Sequence, residues 1–202
     1  MMIEPYLSIL NGFLLALPIY YYVKLKQLGN VKFYLSIALI ILYGILESIY
    51  GFSNKLFILY IGDLLLLIGC LVVFKELINH NVYKKTISNP VISIVLVFVF
   101  LLGTAITNNI FNTPYFITAT IYFTAIVTLA HIYQLINPKG IQIPETLLII
   151  SIIVCYIYDT QYYSGKISLE EYNEAPWFFQ YMLQSLAGIF SFIQIKVYKM
   201  RV

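Results

Sequence analysis

The chain has 202 residues, of which 61% are apolar and only 10% are charged, whereas about 25% are charged in a typical soluble domain. Its mean hydropathy is +0.86, and its formal net charge is only +3. These values exclude a water-soluble globular domain, a disordered chain and a nucleic-acid-binding protein, and they are typical of an integral membrane protein.

Seven apolar segments follow one another along the chain, and each is close to the roughly 20 residues that a membrane-spanning helix needs. The segments are apolar on all sides, whereas a strand of a membrane barrel alternates between apolar and polar residues. We therefore predict an all-α fold, with residues 1–202 forming one transmembrane seven-helix bundle. The predicted spans are 6–23, 33–52, 56–74, 91–107, 116–136, 146–163 and 177–197.

The basic residues divide unequally between the two sides of this predicted bundle. Of the twelve Lys and Arg residues, only Lys55 and Lys166 lie on the side that holds the N-terminus. Loops that remain in the cytoplasm carry the excess of Lys and Arg. The pattern therefore predicts an N-terminus outside and a C-terminus inside, in a plasma (inner) membrane.

Three acidic residues interrupt the apolar spans: Glu47, Asp63 and Asp159. Each charge inside a span costs at least about 2.5–3.5 kcal/mol at a helix centre, so such residues are functional candidates. All three are expected roughly 7–12 Å from the outer ends of their spans. Glu47 and Asp63 flank a short turn, which predicts similar heights on two adjacent helices.

Each acid has at least one tyrosine three or four positions away, on its own helix face. We predict an outward-facing, acidic and aromatic cavity that suits a cationic or amine-bearing ligand through charge pairing and cation–π contact. Its predicted residues are Glu47, Asp63, Tyr43, Tyr50, Tyr60, Asp159 and Tyr156. The alternatives are protonated acids, structural hydrogen bonds from the phenols to the acids, or an ion pair between Glu47 and Lys55.

The sequence does not favour a metal site, a cofactor or an enzyme active site. His80 and His131 are predicted near the inner side, away from the acids. Cys70 and Cys155 lie inside apolar runs and form no CxxC pair. No HExxH, GxSxG or glycine-rich phosphate loop occurs. We therefore expect no cofactor and no metal.

Two resemblances add expectations about function. The Gly62-Asp63 step is similar to the Gly-Asp of the lysoplasmalogenase-type (YhhN-like) membrane family, although Asp159 follows Tyr where that family usually has Ser. That resemblance implies an intramembrane lipid hydrolase with Asp63 as general acid or base. The whole-chain pattern, with Glu47, Asp63 and the inner pair Lys84-Lys85, resembles uncharacterised small seven-span membrane proteins of Bacteroidetes. Members of that group often occur near sensor histidine kinase genes, which implies a sensory role.

The leading functional hypothesis is a non-enzymatic sensor or receptor-like module. It would bind a small ligand in the outer cavity and act on a signalling partner through the Lys-rich inner loops. The lipid bilayer is its expected environment, and nucleic acid is not an expected partner. An intramembrane lipid hydrolase and a small transporter are the alternatives, the latter suggested only by Pro18 inside the first span.

Overall fold

The computed structural model describes residues 4–53, 55–80, 102, 114–137, 142–166 and 176–199. Within these ranges the chain forms six long α-helices and no strands, which confirms the all-helical prediction. The helices are α1 (Glu4–Leu25), α2 (Val31–Ser53), α3 (Leu56–Asn79), α4 (Pro114–Ile136), α5 (Ile143–Tyr163) and α6 (Pro176–Lys199).

Six of the seven predicted spans coincide with these helices. The predicted span 91–107 lies outside the described residues, apart from residue 102, so the count of seven and the orientation stay predictions. The helices extend beyond the apolar segments that predicted them, and α3 continues from the predicted end at residue 74 to Asn79. Its final turn contains Glu76, which accepts hydrogen bonds from Asn30 and Lys32 at the start of α2.

Helix length and apolarity identify a multi-pass membrane protein. Five described helices are long and apolar enough to cross a membrane, and α5 contains a shorter apolar stretch, Ile143–Tyr158. Large apolar side chains also cover the outside of the bundle, with Val31 82% exposed and Phe57 73% exposed. An apolar exterior of this kind is stable in lipid, where helices satisfy their own backbone hydrogen bonds.

The six described helices pack as a ring in chain order. Each helix contacts the next one, including α3 with α4, and α6 returns to α1 and closes the ring. Helix α4 is the most enclosed, with 72% of the residues in its apolar stretch buried, against 39–50% in the other four candidate spans. The core of the bundle therefore lies on α4 and on the faces that the other helices turn towards it.

Helix α4 carries three threonines at four-residue intervals, Thr120, Thr124 and Thr128. Each hydroxyl donates a 2.7 Å hydrogen bond to the carbonyl oxygen four residues earlier. Because the helix itself satisfies these hydroxyls, they can face apolar neighbours without an unpaired donor.

Small residues allow α1 to approach both of its neighbours in the ring. A Cβ atom on Gly188 of α6 would lie 2.2 Å from the Leu14 carbonyl oxygen of α1. A Cβ atom on Gly44 of α2 would lie 2.5 Å from the Ser8 carbonyl oxygen of α1. These crossings have backbone-to-backbone contact, as small residues permit in membrane helices.

One end of the α2–α3 hairpin is held by polar contacts. Glu76 accepts hydrogen bonds from Asn30 Nδ2 at 3.0 Å and from Lys32 Nζ at 3.2 Å. The Asn30 Oδ1 atom also accepts the Phe33 backbone N–H at 3.0 Å, which caps the start of α2. This is the Lys-rich end that the sequence predicts to face inward.

Candidate functional site

Glu47 of α2 and Asp63 of α3, together the acid pair, lie inside the bundle at the end opposite to the Lys32–Glu76 contact. Their exposed fractions are 4% and 3%. The two carboxyl groups are close enough for each to act on the other electrostatically. The short connection from Ser53 to Leu56 sets them at matching heights, as the sequence predicted for two adjacent helices.

No cation balances the acid pair within the described part of the chain. The single ion pair found among the described residues joins Lys32 to Glu76, at the other end of the bundle. The predicted alternative, an ion pair between Glu47 and Lys55, is not formed. The described residues also contain no group of three or more His, Cys, Asp or Glu side chains that could hold a metal ion.

Three tyrosines from three helices surround Glu47. The phenols of Tyr43 and Tyr181 lie beside the Glu47 carboxyl group. The rings of Tyr43 and Tyr122 lie with their centroids 6.2 Å apart. Since Tyr43, Tyr122 and Tyr181 are all at least 94% buried, the acid pair is enclosed by aromatic rings from α2, α4 and α6.

Amide side chains extend this polar interior across the bundle. Gln180 and Gln184 of α6 both donate hydrogen bonds from Nε2 to the Tyr122 hydroxyl oxygen. Gln184 also donates to Ser151 Oγ of α5 at 3.2 Å and accepts a bond from Asn11 Nδ2 of α1 at 2.8 Å. We call this the amide network. Its members around Tyr122 are Asn11, Gln180, Gln184 and the serine Ser151, and it joins α1, α4, α5 and α6.

Several acceptor atoms in this interior have no donor. Glu47 Oε2, Asp63 Oδ1 and Gln180 Oε1 are buried, and none has a hydrogen-bond partner among the described residues. Buried polar atoms are normally hydrogen-bonded, so each exception calls for an explanation. These three atoms are acceptors, and the Tyr43 hydroxyl beside Glu47, which can donate, is likewise buried without a partner among the described residues.

The other residues of the predicted cavity occupy different environments. Tyr50 is half-buried, and Tyr60 is 38% exposed on the outside of the bundle, unlike the buried Tyr43. Tyr156 is buried and packs edge-on against Phe123, with ring centroids 5.1 Å apart. Asp159 belongs to α5, but its side chain lies outside the described residues. Its place in the site, and an outward opening of the cavity, stay predictions.

The sequence did not indicate that Tyr122, Tyr181, Gln180, Gln184 and Asn11 belong to this interior. A signal was present for the two glutamines, because they lie four residues apart on one face of an apolar helix. This amide spacing stands out less in an apolar helix than a charged residue does. Tyr122 carried no comparable signal, since it is one of 19 tyrosines in the chain.

Comparison with protein-family models, with curated proteins and with solved structures finds no match for this chain.

Proposed function

We propose that this multi-pass membrane protein binds a small cationic ligand at the acid pair and acts as a sensor or receptor-like module. The observation that carries the proposal is a pair of buried carboxyl groups, each with one oxygen that has no hydrogen-bond partner among the described residues. No described cation offsets the pair. A ligand cation would supply the missing charge and donors.

The surrounding tyrosines support a preference for organic cations. Ammonium groups are attracted to aromatic faces within about 6 Å of the ring centroid, and the attraction is stronger where water is excluded. Tyr43, Tyr122 and Tyr181 bring aromatic rings from three helices close to Glu47. An amine or quaternary ammonium ion therefore suits this site better than a hydrated metal ion, which would need a complete oxygen shell.

In this proposal, the effect of ligand binding is transmitted along α2 and α3, the helices that carry Glu47 and Asp63. Helices α2 and α3 run from the acid pair to the end where Glu76 contacts Asn30 and Lys32. A ligand that binds one arrangement of this hairpin more tightly would shift its population. We propose that a partner protein at the Lys-rich end responds to that shift.

The experiment measures thermal stability of the purified full chain in detergent with tetramethylammonium chloride, against sodium chloride at equal ionic strength. A ligand that binds only the folded protein at 100 times its Kd stabilises it by about 2.7 kcal/mol. We expect a rise in Tm with tetramethylammonium that Glu47→Gln and Asp63→Asn abolish. Tyr20→Phe, a change at an exposed tyrosine of α1, should retain it.

Equal shifts with both salts, or shifts that persist in both acid variants, would refute cation binding at the acid pair. Turnover of a lysolipid that is lost in Asp63→Asn would instead favour the hydrolase implied by the Gly62-Asp63 resemblance.

A further inference from the structure

A second polar site lies at the opposite end of the bundle, in a cleft of about 290 Å³ between α4 and α5. We call it the α4–α5 cleft. Its polar lining includes His131, Gln134, Gln142 and Glu145, and its apolar lining includes Ile149 and Ile150. The volume is close to the lower limit for small-ligand sites.

The hydrogen bond of His131 determines what its ring offers to the cleft. Its Nδ1 atom lies 2.8 Å from the Val127 carbonyl oxygen. A carbonyl oxygen can only accept, so Nδ1 carries the hydrogen. In the neutral imidazole, Nε2 on the other edge of the ring is then an acceptor. His131 is 94% buried, so this acceptor has little contact with solvent.

Glu145 adds a second acceptor on the facing helix. Its Oε2 atom is buried and has no hydrogen-bond partner among the described residues. Glu145 lies in the first turn of α5, where the partial positive charge of a helix N-terminus stabilises a carboxylate. The cleft therefore offers a carboxyl group with an unpartnered oxygen and, in the neutral imidazole, a ring nitrogen that accepts.

We infer that the α4–α5 cleft binds a protonated primary amine. Such a group has three N–H donors and no acceptor, which complements His131 Nε2 and the Glu145 carboxylate. The carbon next to the ammonium would contact Ile149 and Ile150. A quaternary ammonium ion fits poorly, because three methyl groups replace its donors. This site is separate from the acid pair and does not depend on the function proposed for it.

The amine has two plausible sources with the same chemistry. One is a free amine in solution, and the other is the headgroup of an aminolipid such as phosphatidylethanolamine. A lipid headgroup can reach the cleft because Ile150, one of its lining residues, is 42% exposed on the outside of the bundle.

The experiment compares ligands that differ only at the nitrogen, where three methyl groups replace three N–H donors. Binding of short-chain phosphatidylethanolamine and phosphatidylcholine with identical chains is measured in detergent on the full chain carrying Glu47→Gln and Asp63→Asn, so that the acid pair does not contribute, and ethanolamine and choline are compared in parallel. We expect phosphatidylethanolamine or ethanolamine to bind at least tenfold more tightly than its trimethylated counterpart. Tight binding of ethanolamine alone identifies the free amine, whereas binding only of the phospholipid identifies the lipid.

Variants assign the preference to the cleft. Glu145→Gln and His131→Phe should each reduce the preference for the primary amine about tenfold. Glu76→Gln removes a carboxylate from the same end of the bundle and should keep the preference. Equal binding of the primary and trimethylated ligands while the cleft is unaltered and the acid pair is removed would overturn the inference. A preference unchanged in Glu145→Gln would do so as well.

Discussion

Replacing Gly188 with alanine tests the close crossing of α1 and α6. The added Cβ atom would lie 2.2 Å from the Leu14 carbonyl oxygen and 2.7 Å from its carbonyl carbon. Both atoms belong to the backbone of α1, so no side chain can rotate away. Ordinary contact of about 3.5 Å requires α1 and α6 to separate by about 1 Å.

The expected magnitude combines two opposing effects. Overpacking of a well-packed interface costs about 1–3 kcal/mol, while alanine in place of glycine within a helix gains about 0.5–1 kcal/mol. We therefore expect Gly188→Ala to lower the free energy of unfolding by about 1–2 kcal/mol. A loss of 1.4 kcal/mol is about a tenfold change in the unfolding equilibrium.

Gly62→Ala is the matched control on α3. Its Cβ atom would meet Leu46 Cβ at 3.5 Å and Tyr43 Cδ2 at 3.7 Å, which are ordinary contacts. It should therefore keep the propensity gain of about 0.5–1 kcal/mol without the clash. Reversible unfolding in mixed micelles, followed by helical circular dichroism as the fraction of dodecyl sulfate rises, measures both variants. If Gly188→Ala proves as stable as Gly62→Ala, the close crossing of α1 and α6 is wrong.

Two further variants test buried hydrogen bonds with the same unfolding measurement. Gln184→Leu should cost about 1–2 kcal/mol of unfolding free energy, since interhelical polar contacts in membranes are worth about this much at most. Asn11→Leu should cost less when combined with Gln184→Leu than on its own, because Gln184 Oε1, which accepts the Asn11 hydrogen bond, is then already absent. Additive losses would show that the Asn11–Gln184 bond does not form. Tyr133→Phe removes a 2.8 Å bond to the Leu15 carbonyl oxygen and should cost about 0.5–1.5 kcal/mol, whereas the exposed Tyr20→Phe should cost almost nothing; equal effects would contradict the buried bond.

The membrane helices followed from the sequence because their determinants are local. Twenty apolar residues in succession suit a lipid environment whatever their neighbours are, so six predicted spans correspond to described helices. The positions of the helix ends did not follow from the apolar pattern alone. The last turn of α3 is polar, and it remains helical through contacts between Glu76 and residues of α2 that no apolar pattern reveals.

The two acids could also be singled out from the sequence, because a carboxyl group within an apolar span is costly wherever the helix packs. Their pairing followed from the short turn between α2 and α3. The residues on their own helices were the only neighbours that periodicity could assign. Tyr43 lies beside Glu47 and Tyr60 is 38% exposed, and periodicity along a single helix does not distinguish these two environments.

Only the tertiary structure decided which residues from distant helices complete the site. Tyr122 and Tyr181 approach Glu47 because α4 and α6 each turn one face towards the interior of the helix ring. The spacing of residues along the sequence does not predict that arrangement. The same holds for the cleft between His131 and Glu145. The sequence by itself determined the apolar helices and the cost of the charges within them, because both depend on single segments in lipid. Packing between segments depends on side-chain shape at each helix crossing, and this packing decided which side chains surround the Glu47 and Asp63 carboxyl groups.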